Sequence, residues 1–412
     1  SAPNLRAFMQ NPKITIFAAM QTGNLRKIFL RPQTILVVFS LLAVIAAMQS
    51  YFVSKSQAPE ARKFNDVYLI YKHSHFHLLE QENLYAYHPE DHVNRYKYSP
   101  TFALLFGMLS DLPDLMGMLI WSLLTSTVVF LAIRRLPGLN EIQRLALSGF
   151  ILLELMNNLQ SSQANALLAG MLVLAFCHFE RGKVHWATLL IVATGFLKIF
   201  GIGMLVFILF YPEKRKAIGY SILWIGLLAL LPAPFIGWEE LMSVYGDWGR
   251  GIAEDQGNSV GMSLFGMSNA FLGEGLSKEV VLMGGVLIYG ATMLQWQKWK
   301  ALDFRILALA STLIWVVIFN HKAESPSYVI AMVGIGIWYF TRPPEWWRTA
   351  LLFFALIGLS MLFTDMVPLP RPQKDWLYAH SFKTFPCLLV WAAVIWEMWR
   401  KNMIFTDPNT GR

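Results

Sequence analysis

The sequence predicts an all-α polytopic membrane protein with about 12 transmembrane helices and a large first external loop carrying short juxtamembrane helices. Of its 412 residues, 55% are hydrophobic and 15% are charged, whereas a soluble domain carries about 25% charged residues. Long apolar runs recur from residue 34 to residue 399, and several reach the roughly 20 residues that cross a bilayer. No alternating pattern typical of barrel strands interrupts them, so helices must satisfy the backbone polar groups.

The net charge of +8 does not indicate nucleic-acid binding, because the lysines and arginines lie in short loops between apolar runs. No basic patch accompanies a soluble fold, which excludes a nucleic-acid partner. Cys177 and Cys387 lie inside apolar runs and are interpreted as small core residues. The sequence has no phosphate-binding loop, dinucleotide fingerprint or serine nucleophile elbow, which argues against nucleotide-driven transport and against a nucleotide-sugar donor.

Loop charge predicts the topology. Residues 1–33 are basic and form a cytoplasmic segment, so the span at 34–53 leads into an external loop at 54–98. The apolar stretch 99–111 is too short to cross and is interpreted as re-entrant or interfacial. The run 185–210 has basic loops at both ends, which predicts two short helices that meet near Lys198. Both termini are then cytoplasmic.

Two transmembrane modules follow from this topology. The first spans 34–236 and includes the external loop 54–98. The second spans 237–412, with external loops at 237–279, 320–328 and 365–383. The unusual polar residues of the chain therefore gather on the external face.

The stretch FNDVYLIYKHSHFH, at 64–77, concentrates titratable side chains in the first external loop. On a helix, Asp66, His73 and His77 fall within an arc of about 40°, and His75 points to the opposite side. Histidines four residues apart suit zinc, but no third strong ligand has recognisable spacing. A polar interfacial helix and a catalytic aspartate in an aqueous loop, where its carboxylate stays ionised, are the alternatives.

Several other polar residues on this face are candidates. Lys198 lies among apolar residues, where a cation either snorkels to the interface or binds a phosphate. Glu154 is expected to pair with a neighbouring helix. Ser161 is expected to be an N-cap, and sugar hydroxyls need donors and acceptors such as the amides of Gln163 and Asn165. The segment 320–328 offers His321, Lys322 and Glu324, either as ligands or as a salt-bridged loop.

Several motifs resemble glycosyltransferase family 87, the polyprenol-phosphate-mannose-dependent transferases of the GT-C superfamily. The matching residues are Asp66-Val67-Tyr68, then Tyr98, Pro100 and Phe102, then Gln163-Ala164-Asn165 and Lys198. Ser162 stands where the family has glycine, and Ile199 stands where proline commonly follows the lysine. The late histidine-containing loop is matched by Asn320-His321, and the resemblance is strongest over 60–215.

The resemblance implies a GT-C fold and an inverting transfer of a sugar, mannose, from a polyprenyl phosphate to a hydroxyl of a lipid or glycan acceptor. Asp66 would be the general base, and the departing phosphate would need cations but no acid. Neither a metal nor another cofactor is expected. The expected substrate-binding residues are Lys198, His73, His77, Tyr98, Gln163, Asn165, His321, Lys322 and Arg250. The expected location is a bacterial inner membrane, with the site among membrane lipids and facing the periplasm.

Three other functions stay open. A GT-C enzyme that uses another lipid-linked sugar, such as a pentose, would share the same residues. A secondary transporter would explain the short broken segments, although no internal repeat supports it. A lipid scramblase or flippase would make Asp66 dispensable.

Overall fold

The structure is a computed structural model that describes residues 31–56, 66–258, 260–273, 276–321, 323–364 and 366–400. In chain order its α-helices are α1 (Pro32–Lys55), α2 (Asp66–Leu79), α3 (Pro100–Ser110), α4 (Asp114–Arg135), α5 (Glu141–Gln160), α6 (Asn165–Glu180), α7 (Val184–Leu197), α8 (Leu205–Phe210), α9 (Lys214–Leu230), α10 (Ala233–Ile236), α11 (Trp238–Asn258), α12 (Leu264–Leu272), α13 (Lys278–Met293), α14 (Leu302–Ile318), α15 (Tyr328–Phe340), α16 (Trp346–Ala355), α17 (Arg371–Ala379) and α18 (Thr384–Trp399). Short 3₁₀ segments occupy Ile199–Met204, Trp296–Lys300, Ser325–Ser327 and Met361–Phe363, and a π-helix occupies Leu356–Ser360. No strand occurs in these ranges, which agrees with the all-α prediction.

Four stretches of the described chain are long and apolar enough to cross a membrane: Pro32–Lys55, Asp114–Arg135, Lys214–Ile236 and Trp346–Phe363. The pair α17 and α18, bent by 47°, raises that number to five if it forms one span. The prediction of about 12 spans is not confirmed. The reason is length, because several other apolar helices, such as α6 and α7, have 10–17 residues.

Different helices form the core and the exposed apolar surface. Helices α14 and α15 lie in the main core cluster, where Trp338 is fully buried. Helices α9 and α13 instead expose apolar side chains, with Ile222 67% and Leu287 65% exposed. Exposed apolar helix faces of this extent fit contact with lipid.

The predicted basic loops meet one another at one end of the helix bundle. Their contacts are Arg181 Nη2 to the Arg135 carbonyl at 3.3 Å, Arg305 Nε to Glu180 at 2.7 Å, Lys298 Nζ to the Met398 carbonyl at 2.6 Å, and Arg348 Nε to Glu397 at 2.8 Å. Loops that are far apart in the sequence therefore form one basic surface, as the charge pattern predicts.

The two short segments singled out in the sequence are short in the structure as well. Helix α3 starts at Pro100, with Ser99 accepting a hydrogen bond from Phe102 N at 3.1 Å, and it packs against α2. Tyr71 and Phe102 form an edge-to-face pair with ring centroids 5.0 Å apart. The run 185–210 breaks as predicted: α7 ends at Leu197, Lys198 is extended, and a 3₁₀ turn leads into α8.

Candidate active site

Asp66 is the first residue of α2, and the loop that follows this helix returns to hold its carboxylate. The backbone N–H of Val93 donates to Oδ1 at 2.6 Å, and the side-chain amide of Asn94 donates to Oδ2 at 2.6 Å. The side chain is 2% exposed, so the expectation of an aqueous setting is wrong. Because both bonds are donated to the carboxylate, they stabilise its charge in place of water.

The predicted face of α2 lies along the same loop. Asp91 Oδ1 lies 3.1 Å from His73 Nδ1, and Asp91 Oδ2 lies 2.9 Å from His77 Nε2. Burial lowers the pKa of His73 below its ordinary value. His75 points the other way, since a Cβ added at Gly107 of α3 would lie 2.2 Å from its ring.

Lys198 is held by residues from two other parts of the chain. Its ammonium donates to Gln163 Oε1 and Asn165 Oδ1, each at 3.0 Å, and lies 5.6 Å from the ring centroid of Tyr98. Lys198 has φ −151° and ψ 146°, the extended conformation that a following proline would favour, although Ile199 follows here. Four predicted substrate-binding residues, Tyr98, Gln163, Asn165 and Lys198, therefore form one cluster.

The turn that presents the two amides differs from the prediction. Ser161 is the C-cap of α5 and donates to the Asn157 carbonyl at 3.0 Å, so its assignment as an N-cap is wrong. Ser162 has φ +50°, a left-handed conformation that glycine adopts without strain. Asn158 instead provides a hydrogen-bond acceptor for the first turn of α6, because its Oδ1 accepts a hydrogen bond from Ala166 N at 3.2 Å.

An aromatic contact links the Lys198 cluster to α2. The hydroxyl of Tyr71 donates to the hydroxyl of Tyr98 at 3.0 Å, and both rings are buried. Asp66 and Tyr71 lie on the same helix, about 7.5 Å apart along its axis. The cation and the carboxylate therefore belong to one packed assembly.

The 320–328 loop reaches this cluster through a residue not assigned to substrate binding. Gln163 Nε2 donates to Glu324 Oε2 at 3.1 Å, while its oxygen accepts from Lys198. His321 lies nearby in sequence, with its carbonyl 2.3 Å from where a Cβ at Gly261 would stand. Lys322 lies outside the described residues, and the substrate-binding roles of both stay predictions.

Arg250 lines a cavity of about 260 Å³ between the 83–97 loop and α11. Two further cations, Arg95 and Lys97, line the same cavity, and Arg250 pairs with Asp247. Trp248, also in the lining, stacks on Phe196 with centroids 6.5 Å apart, two residues before Lys198. Sequence reasoning missed Arg95 and Lys97, although both lie within the matched motif before Tyr98.

No metal is expected, and a zinc site made by Asp66, His73 and His77 on α2 stays an alternative interpretation of the sequence. The carboxylate of Asp66 accepts hydrogen bonds from Val93 N and the Asn94 amide. The described residues that group with metal-ligand spacing are His77, Glu82 and His88, whose ligand atoms lie within 4.8 Å of one another. Glu154, in contrast, pairs as predicted: its Oε1 accepts from Lys383 Nζ at 2.9 Å.

Comparison with known proteins identifies the family to which this chain belongs. A search of curated proteins gives no match to the chain. The family model for glycosyltransferase family 87 matches residues 96–364, more than half of the chain. That range contains Tyr98, Gln163, Asn165 and Lys198, and Asp66 precedes it. The chain therefore belongs to glycosyltransferase family 87, and it is a membrane glycosyltransferase with several apolar helices.

Proposed function

We propose that this protein transfers a sugar, mannose, from a polyprenyl phosphate to a hydroxyl of a lipid or glycan acceptor, with inversion at the anomeric carbon. The observation that carries the proposal is the cluster of Lys198 with Gln163, Asn165 and Tyr98. The adjacent cavity is lined by three cations, Arg95, Lys97 and Arg250, and by two carboxylates, Asp247 and Glu254. A glycosyl phosphate needs such positive charge, because its phosphate becomes more negative as the bond to the sugar breaks.

Asp66 is the general base in this proposal. Each of its oxygens accepts one hydrogen bond from the loop and retains a second lone pair for an incoming hydroxyl. The acceptor oxygen gives its proton to Asp66 and forms a bond to the anomeric carbon, while the bond from that carbon to the phosphate oxygen breaks. The phosphate keeps the electron pair, so no acid is required on that side.

The cationic residues have two proposed roles, one at the breaking bond and one at the rest of the phosphate. Lys198, between two neutral amides and a tyrosine ring, is assigned to the phosphate oxygen at the breaking bond. Arg95, Lys97 and Arg250 line the adjacent cavity and are assigned to the remaining phosphate oxygens. The lipid tail then extends along the exposed apolar helix surfaces into the bilayer.

The proposed setting is a bacterial inner membrane, with both termini cytoplasmic and the site facing the periplasm. The basic loops that contact one another mark the cytoplasmic end in this assignment. Gln163 and the 91–98 loop would then contact the sugar donor at the boundary between the lipid and the water. A pentose remains the alternative sugar. None of the residues named here is assigned a contact with the hydroxymethyl group, which distinguishes a hexose from a pentose.

The test is sugar transfer from labelled polyprenyl-phosphate mannose by the purified full chain in lipid nanodiscs. We expect transfer by the wild type and by Asp111→Asn, a control at an exposed carboxylate. Asp66→Asn keeps the shape of the side chain but replaces one carboxylate oxygen with an NH2 group that cannot accept a proton, and we expect at least a 100-fold lower rate.

Three outcomes would count against the proposal. Equal rates for Asp66→Asn and the wild type, with matching elution profiles, would reject the base. Absence of mannose transfer, together with transfer from a lipid-linked pentose in a donor panel, would reject the sugar. Proton NMR of the product gives the anomeric configuration, and retention would reject the single-displacement mechanism.

A further inference from the structure

Three side chains at the C-terminal end of α2 form a cluster to which the proposed transfer steps assign no role. His77 Nε2 lies 3.9 Å and His88 Nδ1 lies 3.8 Å from Glu82 Oε2. The two imidazole rings stack, with centroids 3.9 Å apart. All three ligand atoms lie within 4.8 Å of one another, while Glu82 is exposed and leaves the cluster open to solvent.

The second ring nitrogen of His88 is arranged as in a metal site. Nε2 lies 2.9 Å from the carbonyl oxygen of Asn83, which only accepts, so the proton resides on Nε2. The lone pair of Nδ1 therefore points toward Glu82. Metal-binding histidines usually donate their other N–H in this way, which fixes both tautomer and ring orientation.

Two more side chains stand at the edge of the cluster. Asp91 Oδ2 lies 2.9 Å from His77 Nε2. His92 is 4% exposed, neither of its ring nitrogens makes a hydrogen bond to protein, and its ring lies 6.0 Å from the rings of both His77 and His88.

We propose that His77, Glu82 and His88 bind one zinc-class divalent ion, with Asp91 completing the coordination. Zinc bonds of 2.0–2.2 Å place tetrahedral ligand atoms about 3.3–3.5 Å apart, so the separations of 3.8 and 3.9 Å from Glu82 need to contract by about half an ångström. The 2.9 Å between His77 Nε2 and Asp91 needs to widen, because the ion replaces the proton that His77 donates there. The stacked rings also need to turn so that both lone pairs face one ion. Two imidazoles favour zinc, cobalt or nickel over magnesium and calcium, which prefer oxygen ligands.

The ion would tie the end of α2 to the loop that holds Asp66. Residues 88–94 run from His88 back to Val93 and Asn94, the two donors to the Asp66 carboxylate. The site is about 16 Å along α2 from Asp66, so it positions that residue and takes no part in the chemistry. This second statement rests on the proposed function, whereas the metal site itself does not.

The experiment measures metal content directly. The full chain, purified in detergent on a tag without histidines, is stripped with chelator and dialysed against zinc chloride, and bound zinc is counted by mass spectrometry. We expect one zinc per chain for the wild type and for Glu80→Gln, an exposed carboxylate on the same segment. Glu82→Gln and His88→Ala should bind zinc at least tenfold more weakly.

Cobalt substitution gives a second readout, since tetrahedral cobalt(II) absorbs strongly in the visible range. A wild-type chain without zinc, or with the same zinc content as a monodisperse Glu82→Gln variant, would overturn the metal site. Sugar transfer is measured in parallel. If zinc binding is lost and transfer is unchanged, the metal site is supported and its positioning role is overturned. An inactive wild type that binds one zinc supports the site while counting against the proposed function.

Discussion

Two lysines in the helical interior are held in different ways. Lys383 is fully buried, and its ammonium lies 2.9 Å from the carboxylate of Glu154, itself 2% exposed. Lys198 is partly buried, and its ammonium lies 3.0 Å from the amide oxygens of Gln163 and Asn165. A carboxylate neutralises a lysine, whereas an amide accepts its hydrogen bonds without cancelling its charge. The comparison separates a structural ion pair from a cation that two amides hold and that the Glu324 carboxylate reaches through Gln163.

The largest expected effect comes from breaking the structural pair. Lys383→Met leaves the Glu154 carboxylate buried without its partner, and the cost of an uncompensated buried charge is about 3–5 kcal/mol. We expect the free energy of unfolding in detergent to fall by that amount. Tryptophan fluorescence during denaturant unfolding measures it.

The double variant Lys383→Met with Glu154→Gln is the control for that prediction. Removing both charges replaces the ion pair with a neutral amide, so we expect most of the stability to return. If the single variant were as stable as the wild type, the pair would not be structural. If the double variant were no more stable than the single one, lost packing would explain the effect.

The second effect concerns activity. Lys198→Gln keeps a hydrogen-bond donor beside Gln163 and Asn165 but removes the positive charge. Loss of one preorganised electrostatic contact to a developing anion costs roughly 100- to 1000-fold in rate. We expect kcat to fall by that factor in the transfer assay, with the unfolding midpoint within a few degrees of that of the wild type.

Lys183→Gln, an exposed lysine in a basic loop, controls for the loss of one positive charge. Lys198→Arg retains the charge and should recover part of the rate. A rate for Lys198→Gln within threefold of the wild type would remove Lys198 from the phosphate site. A similar loss for Lys183→Gln would point to net charge instead of position.

The helical pattern on α2 was readable in the sequence because it depends on local geometry. Asp66, His73 and His77 face one loop and His75 faces α3, as a repeat of 100° per residue predicts. The break at Lys198 was likewise readable from the charges that flank the run.

The hydrogen-bond partners of these residues could not be predicted from the sequence. They lie in loops, and a loop has no repeating pattern from which its path can be predicted. Nothing in the spacing of Val93 and Asn94 indicates that they return to Asp66. Glu324 contacts Gln163 across 161 residues, a separation that local patterns do not bridge. The predicted number of spans was not confirmed for a related reason, because apolar helices of 10–17 residues occur alongside longer ones.

The third and smallest effect concerns the turn that presents Gln163 and Asn165 to Lys198. Ser162 has φ +50°, a conformation that costs a residue with a side chain about 1 kcal/mol relative to glycine. Its buried hydroxyl also has no hydrogen-bond partner. Ser162→Gly relieves both costs, while the greater freedom of glycine in the unfolded chain offsets part of the gain. We expect the free energy of unfolding to rise by about 0.5–1 kcal/mol.

The neighbouring residue provides a matched control for this substitution. Ser161 has φ −86°, and its hydroxyl donates to the Asn157 carbonyl at 3.0 Å, so Ser161→Gly gains nothing in the backbone and loses a hydrogen bond. We therefore expect opposite signs for the two variants in the same unfolding measurement. The carbonyl of Ser162 still accepts from Trp121 Nε1 at 3.0 Å in Ser162→Gly, so the turn keeps its anchor and transfer should continue at the wild-type rate. If both variants were destabilised equally, the left-handed conformation of Ser162 would carry no strain.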